Sequence, residues 1–144
     1  MLVEARIEGM EKEPILILTH NGWGLELLKS VQMIVGEISN VHEVALNAED
    51  SLPDYLERVK AQIDQLKWTD KLLILTDIKG GTPSNVALRL SKDYEVVAIS
   101  GLCASMLLEA VMKQEAGGFT RELAQEIHRT VVDSCQILEL PIKQ

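Results

Sequence analysis

A histidine and an aspartate, each placed directly after an apolar run, are the residues of this chain best suited to chemistry. His20 follows the run 15–18 and Thr19, and Asp77 follows the run 72–76. When a carboxylate is hydrogen-bonded to one nitrogen of an imidazole, the other nitrogen keeps its lone pair, and the carboxylate stabilises positive charge that develops on the ring. His20 and Asp77 are therefore the predicted catalytic residues, with the imidazole as a directed nucleophile.

A glycine turn after Asp77 has the features of an anion site. Gly80-Gly81-Thr82 can bring backbone N–H groups close to an anion, and a helix starting near Pro83 has a partial charge of about +0.5 at its amino end. Thr82 could cap that helix, and Pro83 suits its first turn. Gly80, Gly81 and Thr82 are therefore the predicted phosphate-binding residues, and phosphoryl transfer to histidine is the predicted chemistry. The turn lacks the Gly-Lys-Ser/Thr ending of a P-loop, so nothing supports direct use of ATP.

Alternating strands and helices must position these residues. Apolar runs predict strands at 15–20, 41–46, 72–76 and 94–99, and apolar residues at helical spacing follow each of them. This alternation predicts an α/β fold with a flavodoxin-like, doubly wound and mostly parallel sheet of order 2-1-3-4. Residues 136–140 could add a fifth strand at the edge. Strands 1 and 3 are neighbours in this order, so the residues that follow them are expected to flank one crevice.

The apolar faces of the first two helices are predicted from the same spacing. They comprise Trp23, Leu27, Leu28, Val31, Ile34 and Val35, and then Leu52, Leu56, Val59, Ile63 and Leu66. Gly36 is well placed to end the first helix, and Ser51 to cap the second.

Composition narrows the class of protein. The chain has 144 residues, of which 47% are apolar, and this fits one compact domain. Its formal net charge of -8 argues against nonspecific binding to nucleic acid or to an anionic membrane. No apolar run reaches the roughly 18 residues of a membrane helix, and Cys103 and Cys135 make no metal-ligand cluster. A cytoplasmic protein without metal or cofactor is expected.

The first residues stand apart from the periodic pattern. Residues 1–13 are interpreted as a leader, and Met10 offers a start before Pro14 opens the first strand, so residues 1–9 need not be native. Residues 14–144 are predicted to form a single domain.

Plainer interpretations of the same residues remain open. His20 could be a structural histidine, Asp77 a turn residue, and the glycines the usual punctuation between a strand and a helix. Cys103 follows a strand near a helix start, where a thiolate is favoured, but a small buried apolar role is commoner. His42 and His128 have neither an acid nor a glycine loop beside them and are not candidates.

Several of these features together resemble a known family. They are the strand ending in Thr19-His20, the pair Leu27-Leu28, the pattern formed by Asp77, Gly80-Gly81-Thr82-Pro83 and Asn85, and Met106-Leu107 with Glu109 downstream. On these residues the chain resembles, over nearly its whole length, the EIIA domain of the mannose family of the bacterial phosphotransferase system. That system is a sugar-uptake relay driven by phosphoenolpyruvate.

The resemblance implies a function and partners. His20 would accept a phosphoryl group from the histidine-containing carrier protein HPr and donate it to a histidine of the cognate EIIB, with Asp77 as the partner of the ring. The chain would thus be a phosphotransferase with a phosphohistidine intermediate. The resemblance also implies a homodimer built partly through the terminal strand, and contact with the membrane only indirectly, through EIIC and EIID.

Two segments depart from the family pattern and keep alternatives open. Asn21-Gly22 follows His20 where the family commonly has glycine at once, although asparagine tolerates left-handed backbone. The loop 101–106 lacks the usual asparagine and proline. The alternatives are the phosphotransfer subunit of dihydroxyacetone kinase, whose fold and histidine are similar, and a noncatalytic regulatory or ligand-binding module of the same fold.

Overall fold

Four strands and five helices alternate along the chain in this computed structural model, which describes residues 12–115 and 117–141. The strands are β1 (Ile15–His20), β2 (Val41–Leu46), β3 (Leu72–Thr76) and β4 (Val96–Ser100). The helices are α1 (Gly24–Val35), α2 (Leu52–Asp64), α3 (Thr82–Leu90), α4 (Ala104–Met112) and α5 (Arg121–Ser134). Residues 1–11 of the predicted leader 1–13 lie outside the described residues.

The four strands form one parallel sheet of order β2-β1-β3-β4. Its register pairs His20 with Leu46 on one side of β1 and Leu18 with Thr76 on the other. The α/β class, the flavodoxin-like order and the adjacency of strands 1 and 3 are thereby confirmed. Since β1 and β3 are the central strands, their carboxyl ends form the crevice at which the winding reverses.

Helices cover both faces of the sheet. Val31 of α1, Leu107 of α4 and Ile127 of α5 pack with Ile15 and Ile17 on one face. On the other face, side chains of α2 and α3 pack with Leu16 and Leu18 of the same strand, among them Tyr55, Val59, Val86 and Leu90. Burial on both sides explains why β1 and β3 are continuous apolar runs rather than alternating ones.

The buried face of α2 differs from the predicted one. Tyr55, Val59 and Ile63 are its fully buried residues, whereas Leu52 is 55% exposed. The tyrosine can be buried because its hydroxyl donates to the carbonyl oxygen of Val44 at 2.9 Å. The predicted cap is confirmed, since the hydroxyl oxygen of Ser51 accepts from the backbone N–H of Asp54.

The ends of α1 also differ in part from the predicted face. Trp23 is the N-cap rather than a helical core residue and is 40% exposed, and Ile34 and Val35 at the other end are exposed too. Gly36 ends the helix with φ of 86°, as predicted. The packing contribution of α1 comes from Val31, with Leu27 and Leu28 partly buried.

The start of α3 corrects one prediction. Gly81 is the N-cap, Thr82 is already helical, and no side chain caps the helix in this part of the described chain. Pro83 lies in the first turn as predicted. The predicted capping role of Thr82 is therefore wrong, because a residue within the helix cannot also be the residue before it.

The fifth strand that residues 136–140 could add is not formed. These residues are outside the sheet and exposed, with Ile137, Leu138 and Leu140 each more than four-fifths accessible. A strand needs a neighbour for its backbone N–H and C=O groups, and this segment has none among the described residues of the single chain.

None of the helices that the structure describes is long and apolar enough to cross a bilayer.

Candidate active site

His20 and Asp77 meet at the carboxyl ends of the central strands. His20 is the last residue of β1, and Asp77 directly follows β3. The ring nitrogen Nδ1 lies 2.9 Å from Asp77 Oδ2, and the backbone N–H of His20 donates to the same oxygen at 2.7 Å. A carboxylate can only accept, so Nδ1 carries the proton and Nε2 keeps its lone pair. The contact expected from the strand order is therefore present.

The two side chains differ sharply in exposure. The side chain of Asp77 is 3% exposed and that of His20 is 46% exposed. Burial raises the pKa of Asp77, but the hydrogen bonds from the backbone and ring of His20, the positive charge of that ring when it is protonated, and the N–H of Ile78 outweigh burial and hold the pKa below its ordinary value. Asp77 is thus a fixed, ionised acceptor beneath an accessible imidazole.

The turn after His20 is tight and is held to β2. Asn21 and Gly22 both have positive φ, 63° and 80°. The N–H of Asn21 donates to the carbonyl oxygen of Leu46 at 2.8 Å, which ties the turn to β2. Asparagine and glycine are the residues that enter this region at least cost, so the departure from the family pattern preserves a tight turn.

The glycine loop, residues 78–81, lies close to the His20 ring at Cε1 and Nε2. Gly80 has φ of 86° within a turn that closes from Gly81 N–H to the carbonyl oxygen of Ile78 at 3.1 Å. A Cβ atom built on Gly81 would lie 3.0 Å from His20 Cε1 and 3.6 Å from Nε2. The absence of a side chain at Gly81 therefore gives the backbone room beside Nε2 of His20.

The amino end of α3 opens on the same cleft. A space of about 360 Å³ is lined by His20, Asn21, Asn47, Asp50 and Thr82, among others. The first amide groups of a helix have no partner within it, and no side chain caps them here. This end of α3 can supply backbone N–H donors and the positive end of a helix dipole to an anion on Nε2.

Ser84 is a residue of this region that the sequence analysis missed. Its hydroxyl donates to the carbonyl oxygen of Ile78 at 2.6 Å and lies 2.6 Å from the hydroxyl of Thr76. It thereby joins the end of β3, the glycine loop and the first turn of α3. A serine at the third position of a helix is common, so the sequence gives no signal for Ser84. Only the position of the Ile78 carbonyl oxygen shows that its hydroxyl links the glycine loop to the helix.

The other candidates lie elsewhere. His42 is in β2, its ring Nε2 donates a hydrogen bond to Asn40 Oδ1, and its pKa is lowered by burial. His128 is on α5, and Cys103 is the N-cap of α4. No group of three or more His, Cys, Asp or Glu residues that could hold a metal ion occurs in the described ranges.

Comparisons with known proteins show which proteins this chain is similar to. Residues 14–128 match the family model EIIA-man, described as PTS system fructose IIA component. The chain is 37% identical over 105 residues to the PTS system mannose-specific EIIAB component of Escherichia coli (strain K12), an alignment that covers 70% of this chain and 32% of that protein. It thus spans about a third of the length of that relative.

Two further relatives are of similar length to this chain. The PTS system sorbose-specific EIIA component of Lacticaseibacillus casei is 32% identical over 101 residues, which are 68% of this chain and 71% of that protein. The solved structure of the mannose/sorbose specific IIA subunit of the phosphotransferase system from Enterococcus faecalis superposes with a TM-score of 0.79 at 31% identity. That superposition covers 92% of this chain and 99% of the other. The match to the family model, together with these relatives, shows that the chain belongs to the EIIA-man family of phosphotransferase system IIA components.

Proposed function

We propose that this chain is a histidine phosphocarrier of sugar uptake. His20 accepts a phosphoryl group from phosphorylated HPr and passes it to a histidine of a cognate EIIB. The observation that carries the proposal is the hydrogen bond between His20 Nδ1 and Asp77 Oδ2, because it leaves Nε2 as an exposed nucleophile in a cleft. The two alternatives, the phosphotransfer subunit of dihydroxyacetone kinase and a noncatalytic regulatory or ligand-binding module, share the fold, and no observation favours either of them.

The transfer step balances without a metal or a cofactor. The lone pair of His20 Nε2 forms the new N–P bond while the N–P bond to the donor histidine breaks, and the donor ring keeps the bonding electron pair. The ring of His20 becomes cationic, since Nδ1 keeps its proton. The ionised carboxylate of Asp77 stabilises that charge through the existing hydrogen bond.

The glycine loop and α3 receive the phosphoryl oxygens. Gly81 approaches Nε2 closely, and Thr82 lines the same cleft. In phosphoryl transfer most of the catalysis comes from positioning and from stabilisation of charge on the transferred group. Gly80, Gly81 and Thr82 are therefore proposed as the phosphate-binding residues, with backbone amides as the main donors.

Incubation of the chain with phosphorylated HPr tests the proposal. We expect one phosphoryl group per chain, labile in acid and stable in base, located at His20 by mass spectrometry of proteolytic fragments. Addition of EIIB should then remove it. Phosphate that stays on His20 in the presence of every EIIB tried would instead support a regulatory module, and no phosphate at all would refute the phosphocarrier function.

Gly81→Ala is expected to lower the rate of phosphoryl acceptance by about tenfold or more. The new methyl group would lie 3.0 Å from His20 Cε1 and must displace the ring from its position. Gly81 has φ of -81°, so the substitution adds no backbone strain of its own. The measurement is the initial rate of phosphate incorporation from phosphorylated HPr.

Gly36→Ala is the control for Gly81→Ala. Gly36 also has no side chain, but it ends α1 far along the helix from His20, with φ of 86° and open space around it. Its substitution should cost about 1–3 kcal/mol of stability, because φ of 86° with ψ of -157° is a backbone region that essentially only glycine occupies, without slowing the transfer. A Gly81→Ala protein as fast as the wild type would show that the loop has room for a side chain.

The protein is proposed to act in the cytoplasm as a homodimer that meets the membrane only indirectly, through EIIC and EIID. Exposed apolar residues near the end of the chain support the dimer. Ile137 and Leu138 are 87% and 88% exposed, and among the residues that the structure describes β4 pairs on one side only, with β3. A second copy of the segment 136–140 placed along that open edge would satisfy the backbone of both elements.

Ile137→Ser combined with Leu138→Ser is expected to convert the dimer to a monomer. Both side chains are almost fully exposed in the single chain, so the substitutions should leave its fold unchanged. Light scattering coupled to size exclusion should give twice the chain mass for the wild type and the chain mass for the variant. A wild-type monomer, or a variant that stays dimeric, would contradict this assembly.

A further inference from the structure

Helix α1 is capped from outside its own segment. Trp23 is the N-cap residue and makes no side-chain capping hydrogen bond. Instead, the carboxylate of Glu43 on β2 accepts from the backbone N–H of Gly24 at 2.7 Å and from that of Leu25 at 3.1 Å. An acceptor with negative charge at this position satisfies two of the unpaired helix amides and stabilises the positive end of the helix dipole.

The same carboxylate also holds the strand that carries His20. The hydroxyl of Thr19 donates to Glu43 Oε2, the oxygen that accepts from Gly24 N–H. Thr19 is fully buried and immediately precedes His20. Glu43 thus binds the chain on both sides of the turn formed by residues 20–23.

Gly24 shows how closely the helix start and the carboxylate approach. A Cβ atom on Gly24 would lie 2.6 Å from Glu43 Oε2 and 2.8 Å from Ile17 Cγ2. Any other residue at this position would displace the carboxylate of Glu43 or the side chain of Ile17. The glycine and the glutamate therefore form one arrangement, in which the helix amides can reach an acceptor on β2.

We propose that Glu43 is a positioning residue for phosphoryl transfer, which holds the turn after β1 so that the backbone N–H and Nδ1 of His20 both reach Asp77 Oδ2. Two hydrogen bonds to one oxygen require both the chain direction at His20 and the ring orientation to be fixed. The turn itself contains two residues with positive φ and is anchored to β2 through Asn21. Glu43 supplies the anchors at its two ends. The kinetic consequence rests on the proposed function, whereas the orientation of the ring does not.

The test compares Glu43→Gln with a matched variant, Glu13→Gln. A glutamine keeps the shape of residue 43 but removes the charge and turns one acceptor into an N–H₂ donor that faces N–H donors. Glu13 is a buried carboxylate that, like the half-buried Glu43, accepts hydrogen bonds from a backbone N–H and a threonine hydroxyl, here both of Thr69 and each at 2.8 Å. It precedes the amino end of β1 and so lies at the opposite end of that strand from His20.

Two measurements on the full chain decide the outcome. The first is the initial rate of phosphate acceptance from phosphorylated HPr at a temperature where thermal melts show every variant folded. The second is the ¹⁵N chemical shifts of the His20 ring in the unphosphorylated protein, which report which ring nitrogen carries the proton. We expect Glu43→Gln to lower the rate by about 10- to 100-fold and to mix the ring tautomers, and Glu13→Gln to change neither.

The results that would overturn the proposal are specific. A wild-type rate together with wild-type ring shifts in Glu43→Gln would show that the cap is structural only. A lower rate and mixed ring tautomers in Glu13→Gln, as large as those in Glu43→Gln, would show the same. If Glu43→Gln does not fold, Gly24→Ala replaces it, because its methyl group displaces the carboxylate without removing it, and the same two changes are expected. If the wild type takes up no phosphate on His20, the proposed function fails, while the ring shifts still test Glu43.

Discussion

His20→Gln is expected to abolish phosphate uptake from phosphorylated HPr. The amide of glutamine has no nitrogen lone pair comparable to that of Nε2, so no N–P bond can form at this position. The exposed side chain packs little in the core, and the fold should survive the substitution. Radiolabelled phosphate carried through HPr, followed on a neutral-pH gel, measures the loss.

The other two histidines provide controls for His20→Gln. His42 lies in β2 with a hydrogen bond to Asn40, and His128 is on α5. His42→Gln and His128→Gln should both take up phosphate to the wild-type level. Uptake by His20→Gln equal to that of the wild type would mean that another side chain is the acceptor.

Asp77→Asn is expected to slow phosphate uptake by about 10²- to 10⁴-fold while the protein remains folded. The amide keeps the shape of the carboxyl group but loses the charge that stabilises the cationic ring of phosphorylated His20. It can also donate a hydrogen bond to Nδ1, which would move the ring proton to Nε2 and occupy the nucleophilic nitrogen. Single-turnover rates with phosphorylated HPr measure the effect, and a loss below about tenfold would contradict the role of Asp77.

The same substitution should change how stability depends on pH. Since the pKa of Asp77 lies below its ordinary value in the folded protein, its ionised form contributes stability above that ordinary pKa. This contribution is lost as the pH falls through the lowered, folded-state pKa. The difference in free energy of unfolding between wild type and Asp77→Asn, measured with urea, should therefore shrink on acidification. A difference that is the same at every pH would refute the linkage.

The sequence was sufficient to predict the central contact of the site. Each of the two residues ends a continuous apolar run, and such runs belong in the middle of a parallel sheet. The alternation of strands and helices then made β1 and β3 neighbours, which brought His20 and Asp77 together. Gly81 could be placed near them because it follows β3 by so few residues.

Contacts that depend on how helices cross the sheet were not predictable. Glu43 is an acidic residue in the outer strand β2, and only the position of α1 makes its carboxylate an acceptor for the amides of Gly24 and Leu25. Tyr55 was missed for a related reason, since its polar hydroxyl is acceptable in the core only where it reaches the Val44 carbonyl. Side-chain partners from distant segments leave no periodic signal.

The terminal segment shows the limit of an alternating pattern. Residues 136–140 contain apolar side chains suited to a strand, but the single chain leaves Ile137, Leu138 and Leu140 exposed. A strand is defined by its neighbour as much as by its own residues. The sequence indicated that residues 136–140 could form a strand, but it could not indicate which strand they would pair with.

The bond between phosphorus and His20 Nε2 is the central claim, and NMR of the phosphorylated protein tests it most directly. With ¹⁵N-labelled histidine, we expect a phosphorus coupling at Nε2 of His20 and a proton retained on Nδ1, where it bonds to Asp77. Coupling at Nδ1, or at the ring of any other histidine, would contradict phosphorylation at Nε2 of His20.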